Sequence, residues 1–385
     1  MGEITLEKGV AQLPREEWNV LVGEGSPFLE WEWLASLEEA EVVHPSTGWL
    51  PRPLVARDAG RLVAACPLYV KAHSEGEFVF DFAWADAAER AGLRYYPKLL
   101  VGVPFTPVCG ARILTAPGVA RASWIQRFGA ALRALCVEQE FSSVHVNFCE
   151  EDEVTPLEAA GFHTRLGFQY QWCNRGYTSF EDFLTYFRSK RRNQILRERR
   201  ELRTQSITLE TLVGTEIPSS LFDPMFRLYC TTVDQHPWGR RYLNEAFFEL
   251  LRQRFRQRLC CILAKQGDQI IAGTLNVQKN DVLYGRYWGA FHNIRHLHFN
   301  VCYYAALEHC IRNGLQRFEP GAGGEFKQLR GFDAAPTRSL HFIADPRLAA
   351  AVERFLEQER SQATHAIEAL RERSALKSTQ GRRSS

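Results

Sequence analysis

Nowhere does the sequence stay apolar for the roughly 18 residues that a membrane span requires. The start, "MGEITLEKGV", lacks the basic-then-apolar pattern of a signal peptide. Leu6 stands where myristoylation needs Ser or Thr, so no lipid anchor is expected there. The ten cysteines include no C-x-x-C pair, and in a cytosolic chain they read as reduced, buried apolar residues. Charge of one sign is not in excess: 47 Lys and Arg against 45 Asp and Glu, so any polyanion site must come from local clustering. There is no G-x-S-x-G elbow, no G-x-x-x-x-G-K-[ST] loop and no G-x-G-x-x-G after a strand. Hydrolase, NTPase and dinucleotide-binding readings therefore have no anchor. His292 and His296 are four apart, but no acidic ligand follows them at a suitable spacing and H-E-x-x-H is absent. No metal and no cofactor is expected.

What is present is globular composition, with 45% hydrophobic and 24% charged residues over 385 positions, enough for two domains. Two segments repeat one another in pattern. "VARDAGRLVAACPLYV" (Val55 to Val70) is followed by the aromatic "EFVFDFAWA" (Glu77 to Ala85). "LAKQGDQIIAGTLNV" (Leu263 to Val277) is followed by "DVLYGRYWGA" (Asp281 to Ala290). Each reads as a hairpin with Gly60 or Gly267 in the turn, running into an aromatic third strand. Downstream, Ala130 to Phe148 and Ala305 to Gly321 each read as an amphipathic helix leading into a strand, and the overlay sets Glu319 where the first copy has His145. That order is the order of a GNAT-type acyltransferase core. The expected fold is α+β, two tandem GNAT-like domains with mixed sheets flanked by helices. The boundary is placed near Arg175–Tyr177: residues 1–175, residues 176–375, and a disordered polar tail at 376–385.

A long basic helix is expected from Ser179 to Gln205, opened by a capping box of Thr178 and Glu181. Between Arg188 and Arg203 it carries eight basic residues and two acidic ones. Lys190, Arg191, Arg192, Arg199 and Arg200 are candidates for a phosphate-bearing partner, against the alternative of a solvated helix with local ion pairs. In "DVLYGRYWG" the alternation puts Val282, Tyr284, Arg286 and Trp288 on one face and Tyr287 on the other. An arginine inside such a strand must be paired, stacked or lining a cleft. The turn "DQHPWGRRYL" offers His236, Trp238 and Arg240 as substrate contacts. In "FEPGAGGEFKQLRGFD", Pro320 should end a strand, and Gly321, Gly323 and Gly324 can bring backbone N–H groups close to a ligand. Glu319 or Glu325 would serve as base and Lys327 would neutralise an anion or oxyanion. The plainer alternative is a strand-end turn with a local salt bridge.

At these residues the chain resembles the FemAB-like, GNAT-related proteins described as peptidoglycan biosynthesis or recognition proteins. The segments that carry the resemblance include "WADAAERAGLRYYPKLL", "LYGRYWGA" and "RFEPGAGGEFKQLRGFD", within a span from about Pro27 to Glu359. The resemblance implies an aminoacyl transfer from aminoacyl-tRNA to a peptidoglycan-precursor peptide. It highlights Arg286, Tyr287, Trp288, Glu319, Gly321, Gly324, Glu325 and Lys327, with Asp86, Arg94, Tyr95 and Lys98 in the first half. Where the family often reads Gly-Glu-His-Lys, this chain has Phe326. An acetyl-CoA site would need an R/Q-x-x-G-x-G/A loop opening a helix, and "GAFHNIRHLHFNVCYY" has no such spacing. The expectation is a cytoplasmic Fem-like N-acyltransferase whose partners are an amine acceptor and aminoacyl-tRNA. The rivals are an acetyl-CoA-dependent acetyltransferase and a non-catalytic module that binds cell-wall precursors or RNA.

Overall fold

The computed structural model describes residues 3–235 and 240–377. Two compact units divide the chain, and neither is one continuous stretch. The first comprises residues 1–167, 242–251 and 336–365; the second comprises 168–241, 252–335 and 366–385. The sequence expectation had drawn a single cut near residue 175. No helix among the described residues is long and apolar enough to cross a membrane.

In the first unit, β1 (Leu54–Asp58) and β2 (Arg61–Cys66) form a hairpin through a two-residue turn. Ala59 and Gly60 both have positive φ there, the backbone that suits hairpin twist. Pro67 separates β2 from β3 (Leu68–Lys71), and the chain then passes through α1 (Phe82–Arg90) to β4 (Lys98–Val101). Helix α2 (Arg121–Glu138) leads into β5 (Ser143–Cys149), which pairs parallel with β4. The late strand Asp333–Ile343 closes the other side of β5, antiparallel from Arg338 to Ile343. One face of these strands packs Leu99, Val101, Val144 and Val146 with Phe128 and Leu132 of α2, all buried. Each such side chain is worth about 1.5–3 kcal/mol of burial. Register puts Lys71, Lys98, His145 and His341 together on the other face.

The stretch Glu77 to Ala85 corrects the expected third strand. Phe78 has positive φ and the chain turns into α1, where Trp84 and Ala88, four apart, bury one helical face. Aromatic residues raised the strand expectation; helical burial decided the outcome.

In the second unit the long basic helix is broken. A short helix, Phe180–Thr185, ends before α3 (Ser189–Arg203), with Phe187 bridged to Leu376. Ser179, not Thr178, caps it, accepting from Asp182 N–H. Strand β6 (Ile207–Val213) and helix α4 (Phe222–Asp234) precede the antiparallel run β7 (Leu259–Gln266), β8 (Gln269–Lys279) and β9 (Val282–Ala290). Helix α5 runs through Leu297–Phe299, a π-helical stretch Asn300–Ala305 and Ala306–Arg312. It delivers β10 (Arg317–Glu319), parallel to β9. Both units thus show antiparallel strands, a helix and a parallel strand, the GNAT-type order. The overlay of His145 on Glu319 has a structural counterpart, since Leu100 pairs with His145 and Tyr284 with Glu319.

Candidate functional site

Strands β9 and β10 pair only from Val282↔Arg317 to Tyr284↔Glu319. Beyond that β9 continues to Ala290, while Pro320 ends β10, so the two strands part. Strand β9 is bulged at this point: Asn276 of β8 pairs with Gly285 but Leu275 pairs with Tyr287, which leaves Arg286 as an extra residue. The bulge overturns the simple alternation read from the sequence. Tyr284 and Tyr287 now share a face, Trp288 moves to the other, and Arg286 lies over the Tyr287 ring at 5.3 Å. The approach of α4 fixes the far end of β9, because a Cβ on Gly289 would lie 1.8 Å from Leu228 O.

Glu319 sits where the strands part. Arg317 Nε is 3.0 Å from its Oε1, and its side chain is 15% exposed. Burial pushes the carboxyl above its ordinary range, and Arg317 only partly offsets this. Gly321, Gly323 and Gly324 all have positive φ, as the loop requires. Lys327 is buried and its ammonium donates to Gly321 O at 2.6 Å and Ala322 O at 3.1 Å. Burial lowers its pKa to about 8. The lysine therefore grips the loop carbonyls with two of its three protons. Glu325 lies exposed in the turn that follows, so the structure separates the two candidate carboxylates.

Below this loop Arg330, itself buried, donates to Phe326 O and lies 3.4 Å over the Phe299 ring. Its Nη2 is 3.2 Å from Glu198 Oε2, and Glu198, on α3, is buried and also accepts from Tyr304 OH. A helix singled out in the sequence for its basic residues thus also supplies the buried anion that anchors the loop.

Past the far end of β9, where the chain turns towards α5, is a cleft of about 330 Å³ lined by Thr232, Gln235, Trp288, Phe291, Asn293 and His298, among others. His298 was missed by the sequence reading, which weighed only His292 and His296. Its ring is 5.2 Å from Trp288 and 6.0 Å from Phe326. Burial, with Arg330 and Lys327 adding to it, lowers its pKa to about 4, so the imidazole is neutral at pH 7.

The first-unit residues fall into a separate buried cluster. Lys98, fully buried, donates to Asp81 Oδ2 at 2.5 Å, Glu77 Oε2 at 2.9 Å and Ser74 Oγ at 2.8 Å. Tyr95 OH donates to the same Asp81 oxygen at 2.6 Å. His145 and His341 share a hydrogen bond between their Nδ1 atoms at 2.7 Å. Burial holds both imidazoles neutral, His145 at about 3 and His341 well below its usual value. Burial opposes the charges on Lys98 and Asp81 too, but their pairing wins: the ammonium is held up and the carboxyl down. Glu77, more desolvated than compensated, rises to about 7. Arg94 is exposed and donates to Glu140 O, and Asp86 is exposed on α1, so neither joins the cluster. The carboxylate at its centre is Asp81.

The basic helix divides its candidates. Lys190 and Arg200 are exposed, Arg191 and Arg192 half-buried. Arg199 is held by Glu308 at 2.8 Å and lies 4.2 Å over the Phe180 ring. His236 and Trp238 lie outside the described residues; Arg240 is exposed. Among the described residues no group of three or more His, Cys, Asp or Glu is arranged to hold a metal ion.

Residues 9–378 match the FemAB-like family, described as peptidoglycan biosynthesis and recognition. No curated protein matches. Among solved structures, FemX is similar at 12% identity, with 91% of this chain and 100% of that chain covered and a TM-score of 0.55. The C-terminal domain of a putative lysylphosphatidylglycerol synthetase from Agrobacterium fabrum is similar at 9% identity, covering 89% and 95%, with a TM-score of 0.55. The L-PGS structure from Bacillus licheniformis gives 9% identity, 84% and 95% coverage and a TM-score of 0.50. At such identities the likeness is one of fold.

Proposed function

Since the chain belongs to the FemAB-like family, we propose that it is an N-acyltransferase that moves an aminoacyl group from aminoacyl-tRNA to an amine acceptor such as a peptidoglycan-precursor peptide. The observation that carries this reading is the parting of β9 from β10, with a desolvated carboxylate, Glu319, at the fork. A carboxyl whose pKa is raised by burial is a stronger base than an exposed one. The acceptor nitrogen attacks the ester carbonyl, Glu319 takes the amine proton, and the proton passes to the leaving ribose oxygen as the C–O bond breaks. Lys327 holds the glycine loop in the shape that presents its backbone to the reacting group. Arg286 and Tyr287 are proposed to line the β9 side next to Glu319, and Trp288 to face the substrate from the opposite side of the sheet. Tyr95 and Lys98 belong to the first unit and are proposed to shape its own polar face, with Arg94 at the surface.

Phosphates of the donor would meet Lys190 and Arg200 and their neighbours on α3, since phosphate contacts dominate nucleic-acid affinity. This reading sets the reaction in the cytoplasm, where charged tRNA is available. The test is turnover of aminoacyl-tRNA carrying radiolabelled amino acids, with UDP-N-acetylmuramoyl pentapeptide as acceptor. Glu319→Gln should lose turnover while the fold and acceptor binding persist. Full activity in both Glu319→Gln and Glu325→Gln would sink the assignment. Saturable micromolar binding of acetyl-CoA by calorimetry would instead favour an acetyltransferase.

A further inference from the structure

Strand β6 pairs with β7 along all seven of its residues, and among the described residues no strand pairs with its other edge. An open edge presents a row of unused N–H and C=O groups, and proteins commonly blunt it with proline, lysine or a covering segment. The strand "ITLETLV" has no proline and no basic residue, and Leu209 is 38% exposed. Its single charge, Glu210, is taken by Lys265 of β7. A groove of about 460 Å³ lies here, lined by Leu202 and Arg203 of α3, Thr208 and Leu209 of β6, and Ala305 and Arg312 of α5, among others. Thr208 and Leu209 point to opposite faces of the strand. A groove that both of them line wraps the outer edge, since β7 occupies the inner one.

The groove is positively charged. Arg199 and Arg312, which both line it, share one carboxylate, Glu308, at 2.8 and 3.4 Å. The Arg203 guanidinium makes no hydrogen bond or ion pair among the described residues. Three guanidiniums thus face one carboxylate. The carbonyl ends of α3 and α5, worth about half a charge each, offset only part of the surplus. His309 adds no charge, its ring nitrogens being taken by Gln278 and Asn313. Asn300 and Ala305, the two ends of the π-helical stretch, also line the groove, and such breaks in helical regularity frequently mark a functional position.

We propose that the outer edge of β6 takes an extended acidic segment of a partner protein as an added strand. Main-chain bonds to β6 supply affinity, and alternate side chains on the helix-facing side supply specificity. Ile207, Leu209 and Thr211 define that side, because Ile207 is buried with Leu202 of α3 and Leu307 of α5. A carboxylate of the added strand there meets Arg203 and Arg312, and an apolar residue covers Leu209. A second copy of this chain does not fit, since pairing β6 with its own copy sets arginine against arginine. An RNA strand answers the arginines but not the alternating N–H and C=O row. This docking is separate from the transfer reaction, and Glu319 takes no part in it.

The test uses the full chain and a fluorescent peptide of about eight residues in which glutamate alternates with valine. Anisotropy should show saturable binding tighter than about 1 mM. Arg203→Glu combined with Arg312→Glu, both exposed positions, should weaken it at least about ten-fold with melting unchanged. A peptide with proline at a central valine lacks one main-chain donor and should bind at most about a tenth as tightly. Hydrogen exchange should slow at residues 207–213 and not elsewhere in the second unit. No saturable binding, equal binding of the proline peptide, or protection elsewhere overturns the proposal. If the double variant melts lower, a peptide with lysine for glutamate replaces it on wild type; binding as tight as that of the glutamate peptide overturns the charge assignment. Tighter binding of an oligouridylate at residues 207–213 overturns it as well, by making the groove a nucleic-acid surface.

Discussion

Replacing Lys98 by methionine would remove a fully buried ammonium while keeping its volume, and would leave Asp81 and Glu77 without the cation that both share. Breaking a buried pair by removing one partner costs about 3–5 kcal/mol, because the other charge stays desolvated. Two features set where in that range the cost falls. Asp81 retains the Tyr95 hydroxyl, which softens the loss. Glu77 already titrates at about 7 and can discharge by taking up a proton. The pH dependence follows from the signs. In wild type the depressed pKa of Asp81 contributes stability above the unfolded value near 4, which is lost as pH falls below it. In Lys98→Met both carboxyl pKa values rise above their unfolded values, so the native state holds extra protons between about pH 4 and those raised values. The deficit relative to wild type is therefore greatest near pH 8 and shrinks on acidification, by about 1.4 kcal/mol per pH unit for each proton that native Lys98→Met holds beyond native wild type, which below about pH 7 leaves Asp81 alone because Glu77 is protonated in both. Urea unfolding followed by tryptophan fluorescence at pH 8 and pH 5.5 measures it. A cost below about 1 kcal/mol, or one that does not change between the two pH values, would refute the claim that this cluster is held by charge compensation.

Gly289→Ala should give insoluble protein or lose more than about 3 kcal/mol, since its Cβ would meet Leu228 backbone and not a movable side chain; soluble expression with wild-type melting counts against the packing described. Glu198→Ala should destabilise by about 3–5 kcal/mol by stranding Arg330, and limited proteolysis should then cut in the Gly321–Gly324 loop; an intact loop would show that the anchor is dispensable. Lys190→Ala and Arg200→Ala should each lower the slope of log affinity for tRNA against log salt by about one without changing melting; unchanged slopes would remove α3 from the donor path.

The hairpins and the helix-to-strand order could be read because turn glycines and alternation are local signals: Gly60 and Gly267 sit in two-residue turns in the structure. The end of β10 was equally readable, since Pro320 has no N–H to donate. The aromatic stretch Glu77 to Ala85 failed because Phe and Trp suit strands and helices alike, and only packing of Trp84 and Ala88 settles the matter. The faces of β9 failed after Gly285 because a bulge has no spacing signature; it is visible only from the partner strand. The first-unit cluster was half-seen. Tyr95 and Lys98 were named, but His145 and His341 come together through register and Asp81 reaches the cluster from the turn before α1, and no periodicity links positions so far apart.

The discontinuity of the first unit has a consequence for how the protein is made. Strand β5 pairs with β4 on one side and with the late strand on the other. Until the ribosome has passed Ile343, β5 is an open edge and His145 lacks His341. Trp84, Ala88 and Tyr95 likewise wait for Ile343, Leu348, Val352 and Leu356. An unpaired edge beside exposed aromatic surface is an aggregation hazard. The newborn first unit therefore spends most of translation incomplete, and a chain stopped at residue 335 should be a substrate for chaperones and proteases, not a folded half.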